Sequence, residues 1–87
     1  MKEITYKVTN PLGLHARCAS LFAQNAAEWR SVVTMTCKDR TVNGKQVLDI
    51  LELAVLCGDE VVIRIEGEDE EEALKTLVAA VEDGLGE

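Results

Sequence analysis

Histidine occurs once in this 87-residue chain, and cysteine three times, at Cys18, Cys37 and Cys57, with no CxxC pair. Wide spacing and an odd count disfavour both a structural zinc site and a disulfide framework. Basic residues are scarce as well: nine Lys and Arg face 16 Asp and Glu, a formal charge of −7. That balance argues against nucleic acid or an anionic lipid surface as the main partner. There is no long apolar run, and the opening MKEITYKV alternates polar and apolar residues. We therefore expect neither a signal peptide nor a membrane span, and a reducing, cytoplasmic setting fits best. With no repeat, low-complexity tract or linker, residues 1–87 read as one domain, too small for a deep substrate cavity.

The charge that is present is polarised. Residues 1–48 carry seven bases and three acids, whereas residues 49–87 carry 13 acids and two bases. One end of the molecule could thus meet an acidic partner despite the overall sign, although a solvated acidic helix accounts for most of the imbalance.

Periodicity supplies the elements. EITYKV sets Ile4, Tyr6 and Val8 on one face, as a strand does. Asn10–Gly13 is a turn by composition. From Ala16 the chain is alanine-rich, with Ala19, Phe22, Ala23, Ala26 and Trp29 at helical spacing. Ser31–Cys37 is β-branched, and Lys38-Asp39 suits a tight hairpin into the strand RTVN. KQVLDILELAVLCG then reads as a helix capped by Gly58. EVVIRIEG is a fourth strand with Val61, Ile63 and Ile65 inward. The last helix crowds acids into its first turn and aligns Leu74, Leu77, Val78, Val81 and Leu85 in a stripe. The order β-α-β-β-α-β-α calls for an α+β open-faced sandwich, a four-stranded antiparallel sheet with three helices on one face.

The stretch NPLGLHARCAS (residues 10–20) carries the chemistry. If the first helix begins at Ala16, His15 is its N-cap, and the N–H groups of Ala16, Arg17 and Cys18 lack partners within the helix. Such an end attracts anions. Histidine is a poor N-cap beside Ser, Thr, Asp or Asn, so its presence points beyond helix stability. A neutral imidazole nitrogen is a competent nucleophile toward phosphorus. Arg17 adds a permanent charge and a fork of donors, and Gly13 frees the backbone to aim the ring. The set suffices for a phosphorylatable histidine with an anion cradle, with no metal and no cofactor. By themselves the same residues also fit an incidental polar side chain at a turn.

NPLGLHARCAS resembles the active-site signature of the histidine-containing phosphocarrier HPr family, G-[LIM]-H-[AT]-R-P-[AS]. TVNGKQVLDILELAVLCGDEVVI and the acidic GEDEEEAL resemble the family too, and the likeness spans essentially the whole chain. The resemblance implies a carrier in the phosphoenolpyruvate-dependent sugar phosphotransferase system rather than a stand-alone enzyme. The residue at His15 would accept phosphate on Nδ1 from enzyme I and pass it to IIA domains of sugar permeases, and Arg17 would steady it. The docking surface would involve the first two helices. Here Ser20, Gln24, Val47, Leu48 and Leu51 are the candidates, with Leu48 expected to be exposed. A monomer fits a protein that meets several partners in turn.

Three departures matter. Cys18 stands where the signature has proline, either as a small filler or as a thiol activated at a helix start. Gln46 replaces the serine that a dedicated kinase phosphorylates in many Gram-positive relatives, so that switch should be missing. Gln24, Ala27 and Asp49 occupy rim positions where relatives often carry bases, leaving Arg17 and Lys45. The last two departures keep a regulatory paralogue, and a binding module that has lost phosphotransfer, as alternatives.

Overall fold

The structure, a computed structural model, describes residues 1–82. Its elements run β1 (Lys2–Lys7), α1 (Ala16–Ala27), β2 (Val32–Cys37), β3 (Arg40–Asn43), α2 (Val47–Glu52), β4 (Glu60–Glu66) and α3 (Glu70–Glu82). The four strands form one antiparallel sheet in the order β1-β4-β2-β3. This is the fold class that the periodicity calls for.

Register follows from the alternation of side chains. Ile63 of β4 lies opposite Ile4 of β1 and Met35 of β2, and Ile65 lies opposite Val33. One face is therefore mainly apolar, with Lys2 and Arg40 on its edge strands, and Val33, Met35, Cys37, Val61, Ile63 and Ile65 are buried. Glu3, Thr5, Lys7, Arg64 and Glu66 fall on the other, solvated face. α1 presents Cys18, Ala19, Phe22, Ala23 and Ala26 to the core, and α3 presents Ala73, Leu77 and Val81. Small residues on α1 let that helix lie close, while Phe22 fills the volume between. Truncating Phe22 to alanine should cost about 3–5 kcal/mol.

The β2–β3 turn needs two consecutive left-handed residues, and Lys38 (φ 51°) and Asp39 (φ 66°) supply them. That is the twist-matched two-residue hairpin expected there.

The second helix departs from the sequence expectation. It spans six residues, not 14, and its C-cap is Leu53 with Ala54 left-handed at φ 51°. Gly58 is not a helix cap; its N–H donates to the Val8 carbonyl at 2.7 Å in a loop beside the end of β1. The periodicity of LELAVL misleads because Val55 is buried by a different route. Stopping early turns Val55 into the core, and its carbonyl accepts the Leu14 N–H at 3.1 Å. α1 also stops at Ala27, leaving Trp29 half-buried beyond it. In α3, Leu74 and Val78 are half-buried beside the buried Ala73, and Leu85 lies outside the described residues.

One polar staple joins distant segments. The Asp69 carboxylate accepts the N–H groups of Arg30 (2.8 Å) and Ser31 (2.9 Å) and the Ser31 hydroxyl. These bonds, the Ser31 hydroxyl foremost, hold the Asp69 carboxyl below its usual range. A depressed folded-state value means stability that is present above the unfolded carboxylate pKa and lost as pH falls through the folded one. The expectation is that Asp69→Asn lowers the urea midpoint at neutral pH. It should also flatten the loss of stability that wild type shows below about pH 4; equal acid sensitivity in the two proteins would refute this role.

Candidate functional site

The loop that leads to His15 is built by Asn10. This buried side chain accepts the Leu12 N–H on Oδ1 (2.9 Å), and its carbonyl accepts the Gly13 N–H (2.9 Å). The turn over Pro11 and Leu12 is thereby closed. Gly13 follows at φ 69°, a left-handed position where a Cβ would collide with the Val55 carbonyl oxygen and sit 2.9 Å from Leu56 Cα. Glycine is thus required twice over, by conformation and by space. Leu14 plugs the core, and the next residue emerges with fixed direction.

That residue is His15, the N-cap of α1, extended at φ −80° and ψ 178°. Its carbonyl accepts the first helical bond from Ala19 at 2.9 Å. The ring itself does the capping: Nδ1 accepts the Arg17 N–H at 3.2 Å. The sequence leaves the amides of Ala16, Arg17 and Cys18 without acceptors inside the helix; the structure gives that of Arg17 to the imidazole. A histidine can serve as a cap because its unprotonated nitrogen is an acceptor.

The proton assignment follows. A neutral imidazole has one donor and one acceptor nitrogen. With Nδ1 accepting, the proton resides on Nε2, and Nδ1 keeps the lone pair. On its Nε2 side the ring lies 3.5 Å from the Cys18 sulfur. The helix N-terminus directs its positive dipole end at Nδ1. The first turn of α1 has no acidic residue, whereas Glu70, Glu71 and Glu72 crowd that of α3. Arg17 is exposed, and its guanidinium has no hydrogen bond or ion pair among the described residues. A helix N-terminus with an uncommitted guanidinium is a place for a dianion.

The other candidates are distributed around α1 and α2, which pack against each other. Leu48 is 74% exposed, Val47 and Leu51 are half-buried, and Ile50 turns fully inward. Ser20 is half-buried and accepts a 3.5 Å hydrogen bond from the exposed Gln24 one turn on. Exposed Gln46 begins α2 without a side-chain cap. Lys45, expected as a rim charge, is drawn to the Trp29 carbonyl at 2.7 Å. Sequence reasoning missed Leu12 and Leu56, exposed by 71% and 60% on either side of the Gly13 contact. Their signal was faint: a leucine inside a polar turn, and another just past a helix whose end was misplaced. Asp59 holds the second loop by accepting the Leu56 N–H at 2.9 Å, which with Lys38 lowers its pKa.

Among the described residues no three metal-ligating side chains cluster, and no helix is long and apolar enough to cross a membrane. A model of the family described as "PTS HPr component phosphorylation site" matches residues 2–83. The chain belongs to the HPr family. It is 38% identical over 87 residues to the phosphocarrier protein HPr of Xylella fastidiosa (strain 9a5c), covering all of this chain and 98% of the relative. It is 42% identical over 71 residues to the HPr-like protein Crh of Bacillus subtilis, covering 82% and 84% of the two. The crystal structure of HPr-C-His from Thermoanaerobacter tengcongensis superposes with a TM-score of 0.93 at 42% identity, over 100% and 98% of the chains. HPr proteins are phosphocarriers of the phosphotransferase system rather than catalytic enzymes, and that general role is the one the family gives this chain.

Gly13→Ala tests how the HPr loop is held. Backbone strain and the collision with the 55–56 backbone should cost about 2–4 kcal/mol in urea unfolding. A loss below about 0.5 kcal/mol would show that the loop moves freely.

Proposed function

We propose that this chain, as a single monomeric domain in the cytoplasm, takes a phosphoryl group from enzyme I on Nδ1 of His15 and passes it to IIA domains of sugar permeases. The observation that carries the proposal is the Nδ1 lone pair, presented at a helix N-terminus beside the uncommitted Arg17 guanidinium. The Nδ1 pair forms the N–P bond as the bond from phosphorus to the donor's nitrogen breaks, and that pair leaves with the donor. The ring, still protonated on Nε2, becomes a phosphoimidazolium. The Arg17 N–H, released from Nδ1, turns to a phosphoryl oxygen together with the Ala16 and Cys18 amides, and the guanidinium balances the charge. Donation onward reverses these steps, with the N–P pair returning to Nδ1. No cofactor and no metal takes part.

Docking uses Leu48 with Val47, Leu51, Ser20 and Gln24, extended by Leu12 and Leu56. Exposed leucines give a partner apolar surface to cover. A regulatory relay is the second reading. It is favoured by Gln46, which has no hydroxyl to phosphorylate, and by the tying-down of Lys45, which thins the basic rim.

Incubation with enzyme I and phosphoenolpyruvate should add one acid-labile phosphoryl group by intact mass, and none to His15→Ala. Arg17→Ala should fold normally and accept phosphate about ten- to a hundredfold more slowly. No adduct with active enzyme I would overturn the carrier reading. Rapid loading followed by no transfer to any sugar IIA domain would favour the regulatory relay.

Leu48→Ala should raise the KM for phosphorylation by enzyme I about tenfold with little change in kcat; an unchanged KM would remove Leu48 from the docking surface. HPr kinase with ATP should leave the protein unlabelled, and a phosphate at position 46 is chemically ruled out unless Gln46→Ser is made.

A further inference from the structure

The residue that departs from the family signature inside the motif touches the reactive ring. Cys18 Sγ lies 3.5 Å from His15 Nε2 and, at 3.3 Å, accepts a hydrogen bond from Asn10 Nδ2. Asn10 cannot present its oxygen instead, since Oδ1 is held by the Leu12 N–H at 2.9 Å. Both Cys18 and Asn10 are buried, 1% and 7% exposed, so the sulfur is fixed from the core side. Burial also keeps it from bulky reagents, which separates it from the role of a surface redox thiol.

We propose that Cys18 is a positioning residue for His15: its sulfur accepts the Nε2–H and keeps Nδ1 as the nucleophile. Direction follows from hydrogen-bond accounting. Were the thiol to donate to Nε2, both ring nitrogens would be acceptors, because Nδ1 already accepts the Arg17 N–H. A neutral imidazole has no such form. The sulfur is therefore the acceptor, and the ring is gripped at both nitrogens by its own first helical turn. Proline at position 18 would leave the Nε2 side without this contact.

The consequence for phosphate carriage rests on the function proposed above. When Nδ1 bonds phosphorus the ring gains positive charge while Nε2 keeps its proton, and the N–H···S bond strengthens because its donor is now cationic. When phosphorus leaves, the N–P pair returns to Nδ1 and the proton stays on Nε2. No proton needs to move at any point in the cycle.

The tautomer is read from the 15N shifts of the His15 ring, with backbone spectra as a check on folding. At a pH where the ring is neutral, wild type should hold Nε2–H as the dominant form. Cys18→Ala and Cys18→Pro should each shift the tautomer ratio about two- to tenfold toward Nδ1–H, and Cys18→Ser, whose oxygen can accept, should restore it. Phosphoryl uptake from enzyme I should slow about as much in the first two variants and recover in the third. The proline variant keeps the test available should alanine unfold the loop, because it restores the family residue. Equal ratios in wild type, alanine and proline variants would overturn the proposal, as would a wild-type ring that is mainly Nδ1–H. A wild type that takes no phosphate yet shows the predicted tautomer series would refute the carrier reading and leave the Cys18 role standing.

Discussion

A histidine caps a helix here with its own ring. The bond from the Arg17 N–H to Nδ1 satisfies an amide that the helix cannot, and in the same stroke settles which nitrogen holds a lone pair. Fold stability and chemistry thus draw on one interaction. The cap works only because the ring's acceptor faces inward to the helix end, and that same acceptor is the atom able to bond phosphorus. In the carrier role proposed above, phosphate arriving at Nδ1 would displace the cap and take over its donor, so the helix end would never be left without an anion or an acceptor.

Everything around that bond serves to aim it. The sheet fixes β1 and β4 through the Ile4–Ile63 and Tyr6–Val61 pairs, and the Val8 carbonyl then receives Gly58. Asn10 closes the turn, Gly13 passes beneath Val55, and Leu14 anchors the chain before His15 emerges. The abbreviated α2 belongs to this machinery. Had the helix run on to Gly58, the Val55 carbonyl would have pointed along the helix axis toward its C-terminal end, away from the Leu14 amide. Leu14 would then have lost its acceptor, and the loop its floor.

The strand pattern, the hairpin at Lys38-Asp39 and the helical stripe of α1 were readable from the chain alone, because each follows from side-chain period or local backbone preference. The juxtaposition of His15 and Arg17 was readable for a similar reason: both lie within one helical turn, so it is a local matter. The end of α2 was not readable. Leu53 and Val55 are both apolar at spacings compatible with a helix, and only a contact across 41 residues, Leu14 to Val55, decides otherwise. The same blindness hid Leu56 as an exposed residue. It also hid the Asp69 staple, whose partners Arg30 and Ser31 are 39 and 38 residues away. Cys18 falls between: its position was visible as a departure, but its contact with the ring needed the rotamers and the buried Asn10 behind it.

The central claim is atomic, that phosphorus bonds Nδ1 and not Nε2. It is tested most directly on protein labelled with 15N-histidine and phosphorylated through enzyme I, by the one-bond 31P–15N coupling in the ring. The account predicts coupling to Nδ1 alone, with Nε2 still protonated. Coupling to Nε2, or phosphate on any other residue, would contradict it.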